Sequence, residues 1–130
     1  MLIKKRVMRR FCVARVWCAL MLCSGTGVAE EVYFQDGNNR LEALYLLPSH
    51  GQEHKGVFLF VHGDGPLDYE AAGYYPLIWN LLRKQGFAIF SWSKPGVGGS
   101  TGQWLDQSML DRQVEVRAAI EFVQSQYHYE

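Results

Sequence analysis

From residue 30 onward the chain has no cysteine; Cys12, Cys18 and Cys23 all come earlier. The body therefore has no disulfide framework, no thiolate metal ligand and no thiol nucleophile. No group of His, Asp and Glu shows metal-ligand spacing, so neither a metal nor another cofactor is expected. Acids are missing from the first 29 residues, which carry Lys4, Lys5, Arg6, Arg9, Arg10 and Arg15. All thirteen acids lie in the remainder, against seven basic residues. So acidic a body argues against nucleic-acid binding, which needs a positive surface to release counterions. Repeats and low-complexity stretches are absent. At 130 residues there is room for one domain at most.

The first 29 residues read as a secretory signal peptide, and residues 30–130 as the mature chain. A basic region runs to Arg10. The apolar segment Val16–Cys23 comes next, and Gly27 and Ala29 are small residues at the cleavage positions. Arg15 interrupts the apolar run, so the stretch beyond it is too short to span a bilayer. The expected location is secreted or periplasmic, with no membrane contact beyond the leader.

After the leader, Glu31–Gln35 and Arg40–Pro48 alternate apolar with polar residues, as half-buried strands do. Between them Asp36-Gly37-Asn38-Asn39 is a turn, which makes an antiparallel hairpin. Val57–Val61 and Phe87–Trp92 are apolar without alternation, as expected of strands covered on both faces. A helix is predicted between them, with Leu77, Ile78, Leu81 and Leu82 at helical spacing. Pro76 suits its first turn and Gly86 its C-terminal cap. A second helix is predicted from about Leu105 to Tyr127. Its apolar stripe is Met109, Val116, Ile120, Val123 and Tyr127, with Glu115 off the stripe. Apolar strands alternating with helices give an α/β fold with helices on both faces of the sheet.

The segment VFLFVHGDGP, Val57–Pro66, resembles the α/β-hydrolase family. There a His-Gly loop comes after the third strand and helps form the oxyanion hole. SWSKPGVGGSTG, Ser91–Gly102, strengthens the likeness. Many members carry Asp-x-x-Gly-x-Gly-x-Ser after the fourth strand; here Ser93 stands at the acid, with Gly96, Gly98 and Ser100 in register. The resemblance covers about Glu30 to Glu130, the first half of such a catalytic domain. It implies a three-layer α/β-hydrolase sheet: a hairpin, then parallel strands, ending before the nucleophile elbow. It makes His62, Gly63, Asp64 and Gly65 the oxyanion-hole loop, with Asp64 or Gly65 as the N–H donor and His62 as an anchor. It leaves the nucleophile, acid and base beyond Glu130. The Val57–Val61 strand is then an inner one, lacking a neighbour on one side.

Gly98-Gly99-Ser100-Thr101-Gly102 spells G-x-S-x-G, the pattern of a nucleophile elbow. An elbow has a strand leading into its first Gly and a helix starting at its Ser. Here Lys94–Val97 intervene, and the helix begins later. Ser100 is therefore expected to be a loop-stabilising hydroxyl. His128 reads as a surface residue, and His50 and His54 lie in a polar loop. Neither Gly-rich nucleotide fingerprint fits, and Tyr74, Tyr75, Trp79 and Trp92 read as packing residues. The expected activity is that of a secreted serine hydrolase on carboxylic esters, less readily amides, with a small ester or peptide-like molecule as substrate. The alternative is a non-catalytic binding protein with half of the fold. A small enzyme using Ser100 ranks third. The sequence does not specify an oligomeric state.

Overall fold

A computed structural model describes residues 1–4 and 29–129. The apolar leader segment Val16–Cys23, Gly27 and all three cysteines lie outside the described residues.

The hairpin forms as its pattern dictates. Strands β2 (Ala29–Asp36) and β3 (Asn39–Leu46) pair antiparallel in register from Ala29↔Leu46 to Asp36↔Asn39. A two-residue turn joins them, with Gly37 at φ 56. Strands β4 (Gly56–Phe60) and β5 (Phe87–Trp92) pair parallel, Val57 opposite Ala88 and Leu59 opposite Phe90. Strand β5 also pairs antiparallel with β3. The far edge of β4 is covered. Strand β1 (Leu2–Lys4), from the predicted leader, lies antiparallel along it, with Ile3 opposite Val57. The sheet order is β1-β4-β5-β3-β2.

Helix α1 (Tyr75–Lys84) connects β4 to β5, and α2 (Met109–Tyr127) comes after β5. They cover opposite faces of the sheet. Trp79 of α1 packs with Leu46, Ile89, Phe58 and Phe60. Ala119 and Val123 of α2 pack with Val57, Leu59, Ala88, Phe90 and Trp92. Alternate residues of β4 and β5 thus serve two apolar layers, which is why both strands are apolar but for Ser91.

Helix α1 departs from its predicted face, whereas α2 largely keeps its own. In α1, Pro76 occupies the first turn and Gly86 stands just past the cap at φ 93, as its residues suggest. Yet Leu77, Ile78 and Leu81 are exposed, and Trp79 is the buried residue. Tyr74 is exposed as well. Helix α2 starts at Met109 rather than near Leu105 because Ser108 and Asp111 form a capping box. A short 3₁₀ turn over Trp104–Asp106 precedes it. In α2 the predicted stripe residues Val116, Ile120, Val123 and Tyr127 do pack against the core, joined by fully buried Glu115 and Ala119, and only Met109 is exposed. Among the described residues no helix is long and apolar enough to cross a membrane.

Candidate functional site: a cavity at the ends of the parallel strands

Strands β4 and β5 run the same way, so the loops leaving their C-terminal ends lie side by side. Open α/β sheets bind ligands at that end. A cavity of about 800 Å³ opens there. Its walls are Val61 to Asp64 after β4, Lys94 to Gln107 after β5 in part, and the first turns of α2.

The loop after β4 is held from several sides. His62 is buried, and its Nε2 donates to the Trp92 carbonyl of β5. Its ring stacks on Tyr75 of α1 at 5.4 Å, nearly parallel. The His62 carbonyl accepts from Arg112 Nη2 at 3.1 Å. Burial pushes the imidazole pKa below its usual value, so the ring is neutral near pH 7. Since Nε2 carries the proton, Nδ1 is bare, and it is buried without a partner among the described residues. Gly63 and Asp64 come next at the cavity wall, and Gly65 turns the chain at φ 90. No backbone N–H of Gly63, Asp64 or Gly65 finds an acceptor among the described residues.

Helix α2 fixes the opposite wall through Glu115, which the sequence placed off the buried stripe. Glu115 is fully buried. Its Oε1 accepts from Trp92 Nε1 and from Arg112 Nη1, both at 2.6 Å, and its Oε2 accepts from Gln107 Nε2. One carboxylate therefore ties β5, the 3₁₀ segment and α2 together. The Arg112 guanidinium carries the link on to the His62 carbonyl. Only the Arg112–Glu115 spacing of three residues hinted at this in the sequence.

Ser100 lies elsewhere. It is 8% exposed. Its Oγ donates to the Ser93 carbonyl at 3.0 Å and accepts from the Glu42 N–H at 2.9 Å. One bond closes the Gly-rich loop on itself and the other pins it to β3, and Ser100 does not line the cavity. Ser93 is fully buried; its Oγ donates to Glu42 Oε2 and accepts from the Tyr69 N–H. Glu42 Oε2 also accepts from the Gly99 N–H. The loop thus has a carboxylate at its centre after all, supplied by Glu42 of the hairpin rather than by position 93. A Cβ on Gly98 would stand 2.4 Å from that carboxylate, which accounts for the glycine.

With this geometry, the chain aligns with solved structures. An α/β serine hydrolase without a lid from Xanthomonas campestris matches with a TM-score of 0.63 at 18% identity, over 75% of this chain and 45% of that one. An esterase from Pyrococcus furiosus matches with a TM-score of 0.62 at 14% identity, over 97% of this chain and 42% of that one. The acylaminoacyl peptidase of Pyrococcus horikoshii matches at 0.52 and 19%, over 83% and 18%. The fold is that of the α/β hydrolases. This chain spans less than half the length of these hydrolases. No family model matches it, and no curated protein matches it in sequence. Among the described residues of this α/β-hydrolase fold, no His, Cys, Asp and Glu cluster could hold a metal ion.

Proposed function

We propose that this chain is the N-terminal portion of a secreted serine hydrolase acting on carboxylic esters, with amides a poorer substrate. It supplies the oxyanion-hole loop and not the nucleophile. The supporting observation is the anchored His62–Gly65 loop at the end of β4, with unpartnered N–H donors beside an 800 Å³ cavity. Acyl transfer builds negative charge on one oxygen, and fixed N–H donors stabilise it without reorganising. His62 is the positioning residue: neutral, stacked and bonded at Nε2, it holds the loop and does not act as base. Of the two donor candidates, Asp64 lines the cavity and is the better placed. The reaction is attack by a serine hydroxyl on the ester carbonyl, loss of the alcohol and hydrolysis of the acyl-enzyme.

The test is activity-based labelling. The 130-residue chain should neither react with a fluorophosphonate nor turn over p-nitrophenyl acetate above the buffer rate. A chain extended through the downstream reading frame should do both, with the label on a serine beyond residue 130. An inert extended chain would favour a non-catalytic binding protein, a reading to which the cavity also lends itself. A label on Ser100 would overturn the assignment of the nucleophile.

A further inference from the structure

The cavity wall contains a lysine that the hydrolase reading does not use. Lys94, two residues past β5, is only 4% exposed, yet its side chain lines the cavity. Its ammonium lies 5.4 Å from the centre of the Trp104 ring, a weak cation–π contact. It has no hydrogen-bond acceptor among the described residues. The neighbouring acids do not supply one. Glu115 is occupied by three donors, and Asp64 stands on the exposed lip. The like-charged Arg112 lines the same cavity. Burial, then Arg112, press the lysine pKa below its usual value, against the opposing pull of Asp64 and Glu115. The ammonium reaches the cavity without an acceptor of its own, so an entering anion would find an unpaired cation there.

The rest of the wall sets what the anion must carry. Val61, Trp104, Leu105, Met109 and Val116 line the cavity. Leu105 and Met109 are 69% and 78% exposed, apolar groups left in water. A small inorganic ion would leave them there, whereas an alkyl chain or ring would cover them.

We infer that the cavity binds an amphiphilic carboxylate, its head on Lys94 and its apolar tail along Trp104, Leu105 and Met109. Insofar as this names a substrate it rests on the hydrolase reading: the preferred ester then bears a second, free carboxylate on an apolar skeleton. Binding itself needs no nucleophile.

The experiment is a calorimetric titration of the full chain with octanoate, and with octanamide as its neutral counterpart. Octanoate should bind at least tenfold more tightly. Lys94→Met keeps the stem and removes the charge, so it should abolish that preference and leave octanamide binding unchanged. Octanoate stays ionised at and above neutral pH, so its affinity should fall as pH rises through the depressed lysine pKa, earlier than for an ordinary lysine. The other charged groups that act on Lys94 are Arg112, Asp64 and Glu115. Equal binding of the two probes, a preference surviving in Lys94→Met, or no binding of octanoate by the folded chain would overturn the inference. Should Lys94→Met not fold, reductive methylation of the native protein decides. Octanoate should protect Lys94 and octanamide should not, and equal protection refutes the site. An extended chain without esterase activity but with this discrimination refutes the hydrolase reading alone. Esterase activity without discrimination refutes the carboxylate site alone.

Discussion

Replacing Glu115 by alanine should cost more stability than any other single change at the cavity. The substitution removes the acceptor of three donors: Trp92 Nε1, Gln107 Nε2 and Arg112 Nη1. Trp92 is fully buried and the Arg112 side chain only 15% exposed, so water cannot fully replace what is lost. Breaking a buried ion pair by removing one partner costs about 3–5 kcal/mol. The orphaned indole N–H alone accounts for about 1–3 kcal/mol. Gln107 is partly exposed and recovers some of its loss from solvent, which puts the total near 4 kcal/mol. Domains of this size have about 5–15 kcal/mol in all. At about 4–8 °C per kcal/mol, the melting point should drop by roughly 15 °C or more. Glu115→Gln keeps one acceptor oxygen for Trp92 and should cost about 1–2 kcal/mol. Urea unfolding at neutral pH measures both. A double-mutant cycle with Arg112→Met should show coupling above about 1 kcal/mol. A Glu115→Ala protein within about 1 kcal/mol of the parent would refute the view that this carboxylate joins β5, the 3₁₀ segment and α2.

The same geometry sets three further outcomes. Ser100→Ala leaves the Glu42 N–H without its acceptor and should cost about 1–3 kcal/mol in a denaturant titration; a change below a few tenths would show that the hydroxyl does not hold the loop. For His62, burial lowers the folded-state pKa beneath the ordinary value of 6.5, so the unfolded chain binds the proton more readily. Its contribution is complete above the unfolded pKa and is lost as pH falls below it, so the urea midpoint should drop between about pH 7.5 and pH 5.5, and His62→Gln should flatten that slope. Gly56→Ala would place a Cβ 2.5 Å from the Ile3 carbonyl oxygen, so β1 should detach while β4 and β5 stay paired. Hydrogen exchange reads this at Leu59, whose N–H donates to the Met1 carbonyl, and undiminished protection there would contradict the close fit.

The sheet was legible wherever local chemistry decides. Gly37 and Asn38 set the hairpin register, and the largely apolar runs of β4 and β5, without alternation, announced burial on both faces. Helix α1 was legible in its ends, through Pro76 and Gly86, and misread in its face. Leu77, Ile78 and Leu81 have the spacing of a core stripe, but Trp79 reaches the sheet in their place. Spacing fixes which residues share a face, not which face the neighbours cover. Glu115 and Glu42 were illegible for another reason. A buried carboxylate is tolerated only where donors converge on it, and those donors come from Trp92, Gln107 and Arg112 in one case and from Ser93 and Gly99 in the other. Trp92, Ser93 and Gly99 lie far from these carboxylates in the sequence, and their convergence leaves no periodic trace. Strand β1 was hidden because basic residues beside an apolar run carry the signature of a leader, which masks their capacity to pair.

If residues 1–29 direct export, as their sequence leads one to expect, the pairing of Leu2–Lys4 with β4 sets a clock on the newborn chain. An export leader is useful only while it is a loose tail that a receptor can grasp. Here Ile3 becomes 6% exposed against the sheet, and the terminal ammonium bonds the Leu59 carbonyl. Tail and body are then one piece, and surrendering the tail means peeling a strand from a finished edge. Closing a loop of more than fifty residues costs only about 0.6 kcal/mol more than one of half that length, so distance along the chain offers little delay. If residues 1–29 direct export, delivery has to outrun the zipping of β4. Substitutions that slow the β4–β5 pair would then raise the exported yield, and substitutions that hasten it would strand the protein on the side where it was made.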